Sequence, residues 1–123
     1  MIAEGATIID IGGYSSRPGA DDVTVVEELR RVIPVAKMIR LRFPEITVSI
    51  DTFRSEVARH ALDEGAAIVN DISAGLHDPR MFATAAAYQC AFIIMHMRGT
   101  PQTMLSMTDY EHVVTEVTRF LAE

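Results

Sequence analysis

Four short apolar runs in this chain each stop at polar residues, and that pattern restricts the kind of sheet it can build. Thr7-Ile8-Ile9 ends on Asp10, and Ile46-Thr47-Val48-Ser49-Ile50 ends on Asp51. Ala67-Ile68-Val69 ends on Asn70 and Asp71, and Phe92-Ile93-Ile94-Met95 ends on His96. A strand covered on both faces reads as a near-continuous apolar run rather than as an alternation, and such strands are parallel. In α/β proteins ligands sit at the carboxyl ends of parallel strands. Four polar termini in order therefore point to a site on one face of the sheet.

The intervening segments have helical periodicity. From Asp22 the residues Val25, Val26, Leu29, Val32, Ile33, Ala36 and Ile39 recur at steps of three and four, which predicts an amphipathic helix. Pro34 lies inside it and should bend it or cost it a hydrogen bond. Glu56 to Glu64 carries a second stripe in Val57, Ala58, Ala61 and Leu62. Asp78-Pro79 supplies an N-cap and a first-turn proline for a helix through Met81, Phe82, Ala85 and Ala86. Thr108-Asp109-Tyr110-Glu111 fits a capping box ahead of Val113, Val114, Val117, Phe120 and Leu121. The element order is β-α-β-α-β-α-β-α.

An internal echo extends this reading. Glu4-Gly5-Ala6-Thr7-Ile8-Ile9-Asp10 matches Glu64-Gly65-Ala66-Ala67-Ile68-Val69-Asn70 nearly position for position. Gly65 closes a helix in the left-handed conformation, and Gly5 should do the same for a helix of which only Met1 to Glu4 are present. At the other end Glu123 falls within an amphipathic pattern that has no stop signal. The expectation is one α/β domain, residues 1–123, truncated at both ends. A (β/α)8 barrel takes about 250 residues and eight units; four units make a partial one.

Composition narrows the function. The chain has 11 basic and 17 acidic side chains, a net charge of −6, which argues against a nucleic acid partner. A single basic loop can still hold one anionic substrate. Cys90 has no partner for an internal disulfide, which suits a reducing compartment, and its place before an apolar strand marks a packed, inert thiol. No apolar run approaches about 18 residues and no leader pattern follows Met1. A soluble, cytoplasmic protein without membrane contact is expected.

Three strand-end segments carry chemistry. Gly12-Gly13-Tyr14-Ser15-Ser16-Arg17-Pro18-Gly19 either wraps an anion with amides, hydroxyls and a guanidinium or is an ordinary strand-to-helix connection. Asp51 either accepts two parallel N–H bonds from an amidine-like edge or caps the helix that starts near Ser55. Asn70 offers a donor and an acceptor and is read as the inward residue, with Asp71 pointing the other way. Met95-His96-Met97 suggests copper(I), but no second histidine or cysteine cluster lies nearby. Met95 is read instead as an apolar wall for a flat ring.

Taken in order, Ile9-Asp10-Ile11-Gly12-Gly13-Tyr14-Ser15-Ser16-Arg17-Pro18-Gly19, Ser49-Ile50-Asp51-Thr52, Val69-Asn70-Asp71-Ile72-Ser73 and Met95-His96-Met97-Arg98-Gly99-Thr100-Pro101 closely resemble the dihydropteroate synthase family. The family usually has an acidic residue where Tyr14 stands, and often threonine at Ser16. The resemblance implies a (β/α)8 barrel of which this chain holds the second to fifth strands. It implies condensation of a 6-hydroxymethyl-dihydropterin diphosphate with 4-aminobenzoate, giving dihydropteroate and diphosphate, with magnesium. Asp51 and Asn70 would then bind the pterin edge, with Ile72 and Met95 on its ring. Ser16, Arg17 and Pro18 would belong to the loop that handles diphosphate and lines the aminobenzoate pocket, Arg17 acting on the departing charge.

The same resemblance places the family's magnesium-binding asparagine, a later lysine, an arginine and histidine near the carboxyl end, and a second pterin-binding aspartate outside this sequence. Two alternatives follow: a folate-dependent methyltransferase sharing Asp51 and Asn70, and a non-catalytic fragment that self-associates through its open edges.

Overall fold

The apolar runs pair as the sequence predicts. The computed structural model describes residues 1–15, 17 and 21–122; Ser16 and Pro18, two of the expected site residues, lie outside them. Strands β1 (Ile8–Gly12), β2 (Thr47–Asp51), β3 (Ile68–Asp71) and β4 (Ala91–Ile94) lie in the order β1-β2-β3-β4, every pair parallel. Helices α1 (Val25–Arg42), α2 (Ser55–Asp63), α3 (Met81–Tyr88) and α4 (Val113–Ala122) follow the strands in turn. No described helix is long and apolar enough to cross a membrane.

Register divides the side chains between two faces. Ile11, Val48, Ile50 and Val69 join Val32, Ala36, Ile39, Val57, Ala58 and Ala61 in one buried core, so the helices cover this side of the sheet. Each fully buried Val or Ile there contributes about 1.5–3 kcal/mol. Asp10 pairs with Ser49, Gly12 with Asp51, and Asp51 with Asn70. These residues share the opposite face, which no helix among the described residues covers. Cys90 packs partly buried against the core, and burial pushes its thiol pKa up, as an inert cysteine requires.

Several local expectations need correction. Helix α1 begins at Val25 rather than Asp22, because Thr24 caps it by accepting from the Glu27 amide at 3.2 Å. It runs through Pro34 to Arg42; Pro34 and Arg30 are both exposed, so water reaches the carbonyl that proline leaves unbonded. Asp51 does not cap α2. Asp78 does, accepting from Ser55 N at 2.9 Å and Ser55 Oγ at 2.6 Å. Helix α3 starts two residues later than Asp78-Pro79 implied, with Arg80 at the cap position and Met81 as the first helical residue. At α4 the Thr108 capping box is not made: the Glu116 carboxylate accepts from the Glu111 and His112 amides, both at 3.0 Å. Gly5 and Gly65 do adopt φ of 100° and 95°, the left-handed geometry that the echo required.

Candidate functional site

Strand periodicity decides which polar ends converge. Asp10, Asp51 and Asn70 occupy the uncovered face at adjacent strand ends. Asp71, one residue on, is fully buried on the other side. Its carboxylate accepts from Ser73 N and Ser73 Oγ, both at 2.7 Å, and from Gly75 N at 2.9 Å. It is thus a structural anchor for the turn that holds Ile72, and Asn70 is the inward residue. The fourth polar end does not join them: β4 stops at Ile94, and His96 turns its ring onto Phe120, with centroids 4.8 Å apart.

Asp51 is half-buried at the end of β2. Its Oδ2 lies 3.5 Å from where a Cβ on Gly12 would stand, so the bare glycine leaves room beside the carboxylate. Burial first, then the neighbouring charges of Asp10, Glu28 and Asp71, raise its pKa to about 6. Among the described residues no group donates a hydrogen bond to it. A half-buried carboxylate without donors is an acceptor awaiting N–H groups. Asn70 Nδ2 donates to Asp10 Oδ2 at 3.2 Å, leaving the Asn70 carbonyl oxygen free to accept.

Around this cluster the other expected residues fall as follows. Ile72 is half-buried and Met95 is 39% exposed; the Met95 amide donates to Asp71 O at 3.3 Å, which seats it beside Asn70. Arg17 is exposed, its amide donating to Ser15 Oγ at 3.4 Å. Among the described residues no three His, Cys, Asp or Glu side chains converge on one point that could hold a metal.

Sequence reading missed three contributors. Asp10 reads in the sequence only as a strand end. Ser49 lies in register with Asp10 and is buried, and its Oγ has no hydrogen-bond partner among the described residues. The third is a network behind the site. Glu28 is fully buried, accepting from Thr52 Oγ1 and from Arg54 Nη1, both at 2.6 Å. Its signal was legible: an acid between Val25 and Val32 stands on the apolar stripe of α1. A cavity of about 890 Å³ opens beside Tyr14, Phe53, Arg54, His77, Arg80 and Pro101. Asp51 does not line it.

Comparison with known proteins bears on the family and the fold. A family model described as pterin binding enzyme matches residues 1–123. The dihydropteroate synthase of Escherichia coli K12 is 47% identical over 123 residues, covering 100% of this chain and 43% of that protein. A Yersinia pestis dihydropteroate synthase solved with a sulfonamide drug superposes with a TM-score of 0.92 at 37% identity, over 98% of this chain and 43% of that one. The Xanthomonas albilineans enzyme, solved with 4-aminobenzoic acid, gives a TM-score of 0.87 at 41% identity, over 98% and 41%. The chain spans less than half the length of each of these relatives.

Proposed function

The chain belongs to the pterin-binding enzyme family, and on that premise we propose that it supplies the pterin subsite and diphosphate loop of a dihydropteroate synthase. The observation that carries this reading is Asp51, a half-buried carboxylate without donors, side by side with Asn70. A pterin presents two adjacent N–H groups on one edge, and an ionised carboxylate accepts both. Asn70 adds a carbonyl acceptor. Met95 and Ile72 flank the ring as apolar walls.

The chemistry asks little else of side chains. The amine of 4-aminobenzoate attacks the methylene of the pterin, a C–N bond forms, the C–O bond breaks, and diphosphate leaves with the electron pair. The new secondary amine loses its proton to solvent. No protein nucleophile is required, and catalysis consists of holding the partners in line and stabilising charge on the leaving group. Arg17 supplies that stabilisation, with Ser16 and Pro18 completing the loop.

A chimera tests the reading. This chain replaces the matching part of the E. coli relative, which provides the rest of the barrel. Dihydropteroate formation from pterin diphosphate and 4-aminobenzoate is the expected result. A folded chimera that forms no product and binds no pterin would overturn it.

A further inference from the structure

We infer that the Glu28–Arg54 ion pair is a positioning element that joins the loop after β1 to the Asp51 strand end, so that the two ends of a pterin diphosphate reinforce each other's binding. The ligand in this statement rests on the proposed function. The coupling rests on geometry alone.

Glu28 touches both parts. On one side its two oxygens hold Thr52, the residue after Asp51, and Arg54. The Thr52 amide in turn donates to Asn70 O at 3.1 Å. On the other side the loop lies directly on α1: a Cβ on Gly13 would stand 3.0 Å from Glu28 Cγ, and Arg31 Nη1 donates to Gly13 O at 3.1 Å. Arg54 closes the circuit, its guanidinium carbon 5.3 Å from the Tyr14 ring centre and 5.2 Å from that of Phe53. Tyr14 and Phe53 meet edge to face at 4.9 Å. Glu28 is fully buried and so cannot touch a ligand; it acts only through these neighbours. A buried, fully bonded charge tolerates little displacement, because loosening one partner strands the other.

Arg54→Lys keeps a cation against Glu28 but lacks the planar face that stacks on Tyr14 and Phe53. It should therefore fold and lose the coupling. The first measurement needs no ligand: amide hydrogen exchange at Tyr14, Ser15 and Arg17 in the 123-residue chain, its Thr52→Val and Arg54→Lys variants, and the double variant. Each single change should speed loop exchange about tenfold, within the usual range of coupling between sites, and the double should exceed neither. Additive effects, or no response of the loop to Thr52→Val, would overturn the inference. Tyr14→Leu, at a rim residue, gives the same cycle should Arg54→Lys fail to fold.

The second measurement titrates 6-hydroxymethyl-dihydropterin into the chimera with the E. coli relative, and into its Arg54→Lys variant, with and without inorganic diphosphate. Diphosphate should tighten pterin binding about tenfold in the wild type and less than about twofold in Arg54→Lys. Non-additive exchange together with a folded chimera that binds no pterin leaves the coupling standing and removes the proposed function. Pterin binding with diphosphate coupling intact in Arg54→Lys removes the inference and leaves the function.

Discussion

The side-chain amide of Asn70 on β3 donates to Asp10 Oδ2 on β1 at 3.2 Å, reaching across the end of β2 that carries Asp51. Three strand ends are thereby drawn into one polar cluster. Asn70 turns its amide nitrogen to Asp10, and Asp51 keeps both oxygens. The cluster is acidic and accepting, the complement of a ligand edge rich in N–H groups. Such concentration is unfavourable for the empty protein, since like charges and burial both oppose ionisation.

Asp51→Asn should therefore change stability and affinity in opposite directions. The pKa of Asp51 is about 6 in the folded chain, above its unfolded value. Folding stability is then fully present below the unfolded pKa and declines as pH rises toward the folded one. Removing the charge should raise stability near neutral pH by roughly 1–2 kcal/mol, after discounting for the screening of a half-buried group. It should also abolish this residue's contribution to the pH dependence of stability below about pH 6. Pterin affinity should fall by about 1.5–3 kcal/mol. Thermal denaturation across pH and calorimetric titration check the two signs; a variant that is less stable and binds equally well would contradict both.

Asp10→Asn tests the electrostatics of the cluster separately. Asp10 is the second cause of the raised Asp51 pKa, so neutralising it should move the Asp51 titration down toward the ordinary carboxylate range. Carbon-detected NMR titration of the Asp51 carboxylate reads this directly. No movement would mean that burial, with the charges of Glu28 and Asp71, sets the value without Asp10.

Much of this was legible because buried parallel strands and period-two alternation leave plain marks. The apolar run through Ile50 announces β2, and alternation separates Asn70 from Asp71. His96 misled because its run continues in sequence past the point where β4 stops, so parity could not be read from the letters. The caps failed for another reason: Ser55 is bonded by Asp78, 23 residues away, and no local motif encodes that. Glu28 likewise finds Thr52 and Arg54 at separations of 24 and 26 residues. Its charge on an apolar stripe was visible, but the partners that satisfy it are fixed only by the fold.

Arg17→Ala, measured in the chimera with the E. coli relative, should act on turnover. A guanidinium that follows charge onto departing diphosphate stabilises the transition state more than bound pterin. Turnover should drop about 10- to 1,000-fold, in keeping with loss of one charge-stabilising donor. Affinity for a pterin lacking phosphate should stay within about twofold. Equal losses in steady-state rate and calorimetric affinity would make Arg17 a structural residue.

Gly13→Ala probes the packing of the loop on α1. A Cβ there would lie 2.8 Å from Val32 Cγ1 and 3.1 Å from the Glu28 carbonyl oxygen. The backbone oxygen cannot withdraw without disturbing the helix, so the loop must move. Overpacking of this kind costs about 1–3 kcal/mol. Urea denaturation should show a lower midpoint with an unchanged slope. A stability equal to wild type would mean that the loop is free to lift off Glu28, which would also weaken the case for coupling.

The 123-residue chain alone should self-associate. Strands β1 and β4 are the sheet edges, and among the described residues neither has a partner on its outer side. Unpaired edges template further pairing. Ile8 is 49% and Ile93 48% exposed on the uncovered face, and Val113 and Val114 are 52% and 76% exposed on α4. A twofold pair would cover these surfaces by bringing equivalent edges together. Multi-angle light scattering at micromolar concentration should report at least twice the 13.6 kDa chain mass. Ile93→Lys, which puts a charge on the open face beside an edge, should shift the population toward monomer. Such a pair should still form little or no dihydropteroate, because a second copy supplies the same four strands rather than different ones. A stable monomer, or a self-associated chain with turnover matching the chimera, would refute this account of its edges.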